Sequence, residues 1–153
     1  MRLWTILIVS LSVVIGTGPG LAQDRLVSLS SEIKREAEQR AMAFRQNPAA
    51  PAPQLDGADT LLISLDEFAL LTHRLSAQIE AEGGPSDLKC IFRGMSGDVS
   101  ARIEQLNNAE TRADLARAYN EIAYLANQAE SIANDPDARA AGNSLPPSCP
   151  SKA

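Results

Sequence analysis

Apolar residues recur at the three- and four-residue spacing of an amphipathic α-helix in four separate segments of this chain. The most regular stripe, in the third segment, consists of Leu88, Ile91, Phe92, Met95, Val99, Ile103 and Leu106. Alanine is abundant, and β-branched residues are sparse after Ala22, a composition that favours helix over strand. The pattern therefore predicts an all-α protein.

Glycine, proline and capping residues separate the helical segments. We predict helices over residues 24–44, 60–82, 86–107 and 112–134. Asp59 is placed to cap the second helix, and the capping box that begins at Ser64 marks an alternative start. Thr111 and Asp114 form a similar box before the fourth helix.

The chain opens with the pattern of a secretory leader. Arg2 precedes an apolar run over residues 3–15, and Gly20 and Ala22 put small residues at the two positions that a signal peptidase reads. We therefore expect cleavage after Ala22 and a mature chain that begins at Gln23. The run is shorter than the roughly 20 residues of a membrane span, and no nearby cysteine would carry a lipid. The expected location is periplasmic or secreted, without a stable membrane anchor.

Cys90 and Cys149 are the two cysteines of the chain. They are far apart in sequence, unlike the Cys-x-x-Cys of thiol exchange, and an exported chain meets an oxidising compartment. We therefore predict one structural disulfide between them. Free thiols and bridges between chains are the alternatives.

The breaks divide the chain into five parts. These are a signal peptide (1–22), an N-terminal helix (23–46), a proline-rich linker (47–58), a helical bundle core (59–134) and an irregular tail (135–153). The core supplies three antiparallel helices, and the N-terminal helix is expected to complete a four-helix bundle. The linker, with its three prolines, is expected to be extended. In the alternative arrangement, the first helix is undocked and available to a partner.

The third helix carries an unusual strip opposite its apolar stripe. The strip consists of Cys90, Gly94, Gly97, Ala101 and Glu104. Two glycines inside a helix each cost about 1 kcal/mol relative to alanine, which predicts that another backbone comes close. Gly94, Gly97 and Ala101 are thus a possible close-packing face, covered by residues 145–150 of the disulfide-bound tail. The alternative is a helix break at one of the glycines.

Residues that could carry chemistry are few and scattered. His73 is the single histidine, and a haem would need Met42 or Met95 as a second axial ligand. Asp66 and Glu67 are adjacent carboxylates, but the first turn of a helix favours acids for capping and dipole reasons. No serine-hydrolase elbow, phosphate-binding loop or metal-ligand spacing occurs. We expect no catalytic residue, no cofactor and no metal.

Charge and aromatic content narrow the choice of partner. The formal net charge is −5, and it becomes one unit more negative once Arg2 is removed, which argues against nucleic acid and anionic membranes. Tyr124 lies opposite the stripe of the fourth helix. We expect it to pack under the tail or the first helix, with a role as an interface anchor as the alternative.

These observations favour a non-enzymatic function. The favoured prediction is an exported helical protein that binds another envelope or secreted protein as an adaptor, inhibitor or chaperone-like factor. It depends on spare amphipathic surface and on the lack of a catalytic constellation. The alternative is a helical-bundle carrier of a small ligand or cofactor, such as haem or a lipid.

Overall fold

A computed structural model describes residues 19–135 and 148–149; the predicted leader up to position 18 and most of the predicted tail lie outside these residues. The described residues form four helices and no β-strand. The helices are α1 (Pro19–Phe44), α2 (Thr60–Ala81), α3 (Ser86–Asn107) and α4 (Arg112–Asn134). The all-α prediction is confirmed.

The helices form an antiparallel bundle in which each packs against the next along the chain and α1 closes the ring against α4. The start of α1, the α2–α3 turn and the end of α4 meet at one end, which also carries Cys90 and which we call the disulfide end. The α1–α2 linker and the α3–α4 turn meet at the other, which we call the crossover end. The predicted four-helix bundle is confirmed, and α1 is docked.

Helix α1 begins earlier than its predicted start at residue 24. It starts at Pro19, and proline suits a first helical position because its missing N–H has no helical partner there. The peptide bond between Ala22 and Gln23 thus lies inside a helix in the full chain. The Gln23 side-chain amide donates a hydrogen bond to the carbonyl of Ala133. Cleavage at this bond stays a prediction.

Small side chains line the contact between α1 and α4, the most extensive helix pair of the bundle. Ala37 and Ala41 of α1 are buried, and so are Ala116, Ala123 and Ala126 of α4. Methyl side chains let two helix backbones approach closely, so dispersion contacts extend to the main chains. The alanine content of the chain therefore serves packing as well as helix propensity.

A row of polar contacts runs along the outer edge of the same interface. Its three hydrogen bonds join Ser31 to Glu130 (2.7 Å), Lys34 to Asn127 (2.7 Å) and Arg45 to Asn120 (3.0 Å). Exposed pairs of this kind each contribute a fraction of about 1 kcal/mol. Their value is orientation, because they set the register of α1 on α4 along most of its length.

The linker docks on the first turn of α4. The N–H groups of Arg112 and Ala113 donate to the carbonyls of Ala50 (2.9 Å) and Pro48 (3.0 Å). These N–H groups are among the four at a helix start that have no partner within the helix. Residues Asn47–Ala50 form a hydrogen-bonded turn, so the prediction of a wholly extended linker is wrong. Asparagine followed by proline favours a type I turn, which explains the difference.

The predicted N-terminal caps of α2 and α4 are confirmed. Asp59 accepts a hydrogen bond from the N–H of Leu61 at 2.8 Å, so the alternative start at Ser64 is wrong. Thr111 and Asp114 form the reciprocal capping box of α4. Helix α3 is continuous, as predicted, and does not break at its glycines.

The interior is one apolar cluster drawn from all four helices. Phe92 and Val99 of α3 and Tyr119 of α4 are all buried in this cluster, and α3 contacts α4. Ile103 is partly buried against the same cluster. The bundle therefore buries most of the predicted α3 stripe. Ile91 is the exception: it lies at the edge of the stripe and is 39% exposed.

Overpacking the α1–α4 contact should destabilise the protein. We expect Ala41→Leu to lower the free energy of unfolding by about 1–3 kcal/mol or more, because Ala41 is 1% exposed and a larger side chain must separate the helices. Ala43→Leu, at an exposed position on the same helix, is the matched control and should change stability by less than about 0.5 kcal/mol. Chemical denaturation followed by circular dichroism measures both. Equal stability of the two variants would contradict the close α1–α4 contact.

Candidate functional site

Cys90 and Cys149 form the predicted intramolecular disulfide, with Cα atoms 5.2 Å apart. Cys90 lies just over one turn into α3, so the bond fixes residue 149 at the disulfide end of the bundle. The bond joins residues that are 59 positions apart and no second cysteine pair exists, which suits a structural bridge rather than thiol exchange.

The small-residue strip of α3 faces away from the core. Gly97 and Ala101 are exposed, and Gly94 is half-buried. Apart from the chain neighbours of each glycine and the adjoining backbone of α3 itself, no atom of the described residues lies within 4 Å of where a β-carbon would stand on Gly94 or Gly97. Apart from Ser148 and Cys149, residues 145–150 lie outside the described part of the chain. The predicted close-packing face of Gly94, Gly97 and Ala101 therefore stays a prediction.

The residues considered for catalysis or cofactor binding do not converge. His73 is exposed on α2, whereas Met95 is buried in the core and Met42 is 60% exposed on α1. Glu67 pairs with Arg25, whose Nε and Nη2 each donate at 2.8 Å. Within the described ranges, no three His, Cys, Asp or Glu side chains are grouped so that they could hold a metal ion.

Three ionisable groups with shifted pKa values, Arg40, Asp59 and Tyr119, lie together at the crossover end. Arg40 of α1 donates to Asp59, the N-cap of α2, at 2.5 Å, and its guanidinium carbon is 5.8 Å from the ring centroid of Tyr119 in α4. Phe44 stacks on Tyr119 with 5.8 Å between centroids, and the guanidinium of Arg112 lies 5.9 Å from the Phe44 ring. This cluster joins α1, α2 and α4.

The electrostatics of the cluster follow from these contacts. Burial is the largest single influence on the Asp59 carboxyl and would raise its pKa. The hydrogen bond from Arg40, the backbone N–H groups at the start of α2 and the charge of Arg40 together outweigh burial, so the pKa lies below its ordinary value. Burial raises the pKa of the Tyr119 phenol. Perturbed pKa values can mark active sites, yet here they come from contacts that hold helices together. The cluster is therefore a structural junction.

The outer face of α2 presents apolar side chains to solvent. Ile63 is 56% exposed and Leu70 is 49% exposed, and they are seven residues apart, so they lie on one side of the helix. Ala77, a further seven residues on, is also exposed. We call these three residues the α2 outer face. None of them is among the buried residues of α2, which are Leu61, Leu65, Phe68, Thr72, Leu75 and Ser76. Their seven-residue spacing was a signal available in the sequence.

Tyr124 is the clearest correction to the sequence-based predictions. It is 65% exposed, so the expectation that it packs under the first helix is wrong; its expected cover by the tail falls mostly on residues outside the described part of the chain. It points away from the core because α1 and α3 flank α4 on its two sides and leave the back of the helix open. Its hydroxyl accepts a hydrogen bond from Gln128, one turn later, at 2.9 Å.

The Arg40–Asp59 pair should make stability depend on acid pH. Because the folded-state pKa of Asp59 is depressed, its contribution is complete above the unfolded value of about 4 and is lost as the pH falls through the folded-state pKa. Asp59→Asn keeps a capping side chain but removes the charge. We expect it to cost about 1–2 kcal/mol at pH 7 and progressively less below pH 4.

Denaturation of the wild type, Asp59→Asn and Asp66→Asn between about pH 2 and about pH 7 tests this expectation. This range extends to both sides of the ordinary carboxyl pKa of about 4. Asp66 is an exposed acid of the same helix and serves as the control. A loss in Asp59→Asn that stays constant across this range would show that its charge is not what stabilises the fold.

The disulfide should stabilise the protein without being needed to form its helices. The buried apolar residues all lie within the four helices, so reduction should leave the far-ultraviolet dichroism at 25 °C nearly unchanged. In the chain-entropy model, a bridge across this loop contributes at most about 4 kcal/mol. We therefore expect thermal unfolding at a lower temperature in reductant. Collapse of the helical signal on reduction at 25 °C would show that the bundle depends on the bridge.

Comparison with protein-family models, with curated proteins and with solved structures finds no match for this chain. No family therefore transfers residue roles to it. What its surfaces can do follows from their own exposure, charge and contacts.

Proposed function

We propose that this chain is an exported, non-catalytic helical protein that binds another envelope or secreted protein through the α2 outer face. The observation that supports the proposal is the pair of large apolar side chains, Ile63 and Leu70, that remain about half exposed one heptad apart. Single exposed apolar side chains are common, but apolar side chains that line up on one face of a helix are typical of an interaction site.

The chemistry of the surface suggests the kind of partner. From Ile63 to Ala77, the α2 outer face is about 21 Å long and one residue wide, which matches the narrow seam of a second amphipathic helix. Asp66, His73 and Arg74 border the seam with charges of both signs. Bordering charges of this kind set orientation and partner choice more than affinity. An amphipathic helix of another protein is therefore the expected ligand.

Two further observations support export and a role outside a membrane. The disulfide suits an oxidising compartment. None of the described helices has both the length and the apolar character that crossing a bilayer requires. An adaptor, an inhibitor or a chaperone-like factor of the periplasm or the extracellular space is consistent with both.

The double variant Ile63→Ser/Leu70→Ser tests the proposal. We expect it to lose at least tenfold in affinity for the protein that co-purifies with wild type from the native envelope, since truncating central apolar anchors typically costs more than 1 kcal/mol each. Its helix content and stability should stay close to those of wild type, because both side chains are half exposed.

Tyr124→Ser is the matched control, since it removes an exposed apolar side chain from a different helix. It should bind the partner as wild type does. The proposal fails if the double variant keeps full affinity, or if the control loses as much. Light scattering on the purified protein adds a separate outcome. If wild type is a homodimer and the double variant is a monomer, the α2 outer face binds a second copy of this chain and not a different protein.

A further inference from the structure

A cavity opens at the disulfide end of the bundle, between the helix termini. Its volume is about 250 Å³, and all four helices and the α2–α3 turn contribute to its walls. The apolar residues that line it are Leu26, Leu75, Ile79, Pro85, Leu88, Phe92, Ile132 and Ala133. Leu26 and Phe92 belong to the core of the bundle, so the cavity is continuous with the hydrophobic interior.

The cavity lining also includes three residues with polar side chains, Gln23, Gln78 and Glu82. The Gln78 amide donates to the Glu82 carboxylate at 2.8 Å, and the Gln23 amide donates to the Ala133 carbonyl. Both amides retain carbonyl oxygens that can accept a hydrogen bond. The residues described as lining the cavity include no Lys, Arg or His. In the full chain, where Gln23 carries no terminal ammonium group, nothing there would therefore neutralise an anionic head group.

The size and chemistry of the cavity narrow the choice of ligand. An enclosed apolar cavity of about 150 Å³ holds a benzene molecule, so this one accommodates a somewhat larger apolar group. No His, Cys, Met or Tyr is among the described lining residues, so they provide no side chain of the kinds that ligate haem iron. Of the ligands expected from the sequence, a lipid-like molecule fits the cavity and haem does not.

We propose that this cavity binds a small single-chain amphiphile with an uncharged, hydroxyl-type head group. The alkyl chain would lie against Leu75, Leu88 and Phe92, and the hydroxyl would donate to a side-chain oxygen of Gln23, Gln78 or Glu82. This is a second binding site, separate from the α2 outer face, and it does not depend on a protein partner.

Titration calorimetry with a series of 1-alkanols of increasing length tests the proposal on the oxidised, purified full-length chain. The uncleaved chain is used because cleavage after Ala22 would place a terminal ammonium group at Gln23, in the cavity wall. Each added methylene should raise affinity about fourfold, the equivalent of about 0.8 kcal/mol, until the chain fills the cavity, after which affinity should level off. 1-Octanol should bind at least tenfold more tightly than octanoate, because the described lining lacks a basic group.

Leu75→Phe places a larger side chain in the cavity wall and should weaken 1-octanol binding at least tenfold. Leu71→Phe, on the same helix but outside the lining, should leave binding unchanged. If Leu75→Phe does not fold, Leu88→Phe places a larger side chain in the cavity from α3 and should weaken 1-octanol binding to the same extent. Absence of binding, equal binding of octanoate, or binding that neither filled variant weakens would each overturn the proposal.

Discussion

The close contact of α1 with α4 is the interaction on which the rest of this structure depends. Alanines at the contact bring the two backbones together, and α1 then covers one side of the core that α2, α3 and α4 share. Without α1, the buried ring of Tyr119, which stacks on Phe44 of α1, would border solvent. A small domain buries a limited apolar area, so the area that α1 covers contributes a large share of the stability of the bundle.

Two further features secure that contact at the crossover end. The linker supplies carbonyl groups to the first turn of α4, and Arg40 ties α1 to the N-cap of α2 and to Tyr119. The linker is thus part of the folded unit and not a tether. Its turn at Asn47–Ala50 returns the chain across the bundle, where α2 begins antiparallel to α1.

Much of the fold could be predicted because its determinants are local. Apolar spacing indicated every helix, and the caps at Asp59 and Thr111 need only the residues beside them. What could not be predicted depends on how each helix is rotated in the bundle. Tyr124 is exposed because of where α1 and α3 sit beside α4. The end cavity exists because four helix termini fail to fill the space between them. The α2 outer face could have been noticed, since Ile63 and Leu70 lie off the core stripe at a fixed spacing.

The two proposed sites occupy separate parts of the bundle, one on the side of α2 and one at the disulfide end. Neither needs a catalytic group, and the ionisable residues with perturbed pKa values hold helices together instead. This division is typical of a bundle whose core serves stability while its surface and ends are free for recognition. Neither proposed site would require a histidine or a set of metal ligands.

The central claim is that α1 is an integral part of one cooperative bundle. Native-state hydrogen exchange tests it most directly, because amide protection reports the free energy of opening each helix. The structure predicts that amides near Ile33 and Ala37 of α1 exchange as slowly as those near Ile122 and Ala126 of α4, and that both open only with global unfolding. Fast exchange throughout α1 while α2, α3 and α4 stay protected would contradict the claim and would mean that the first helix is undocked.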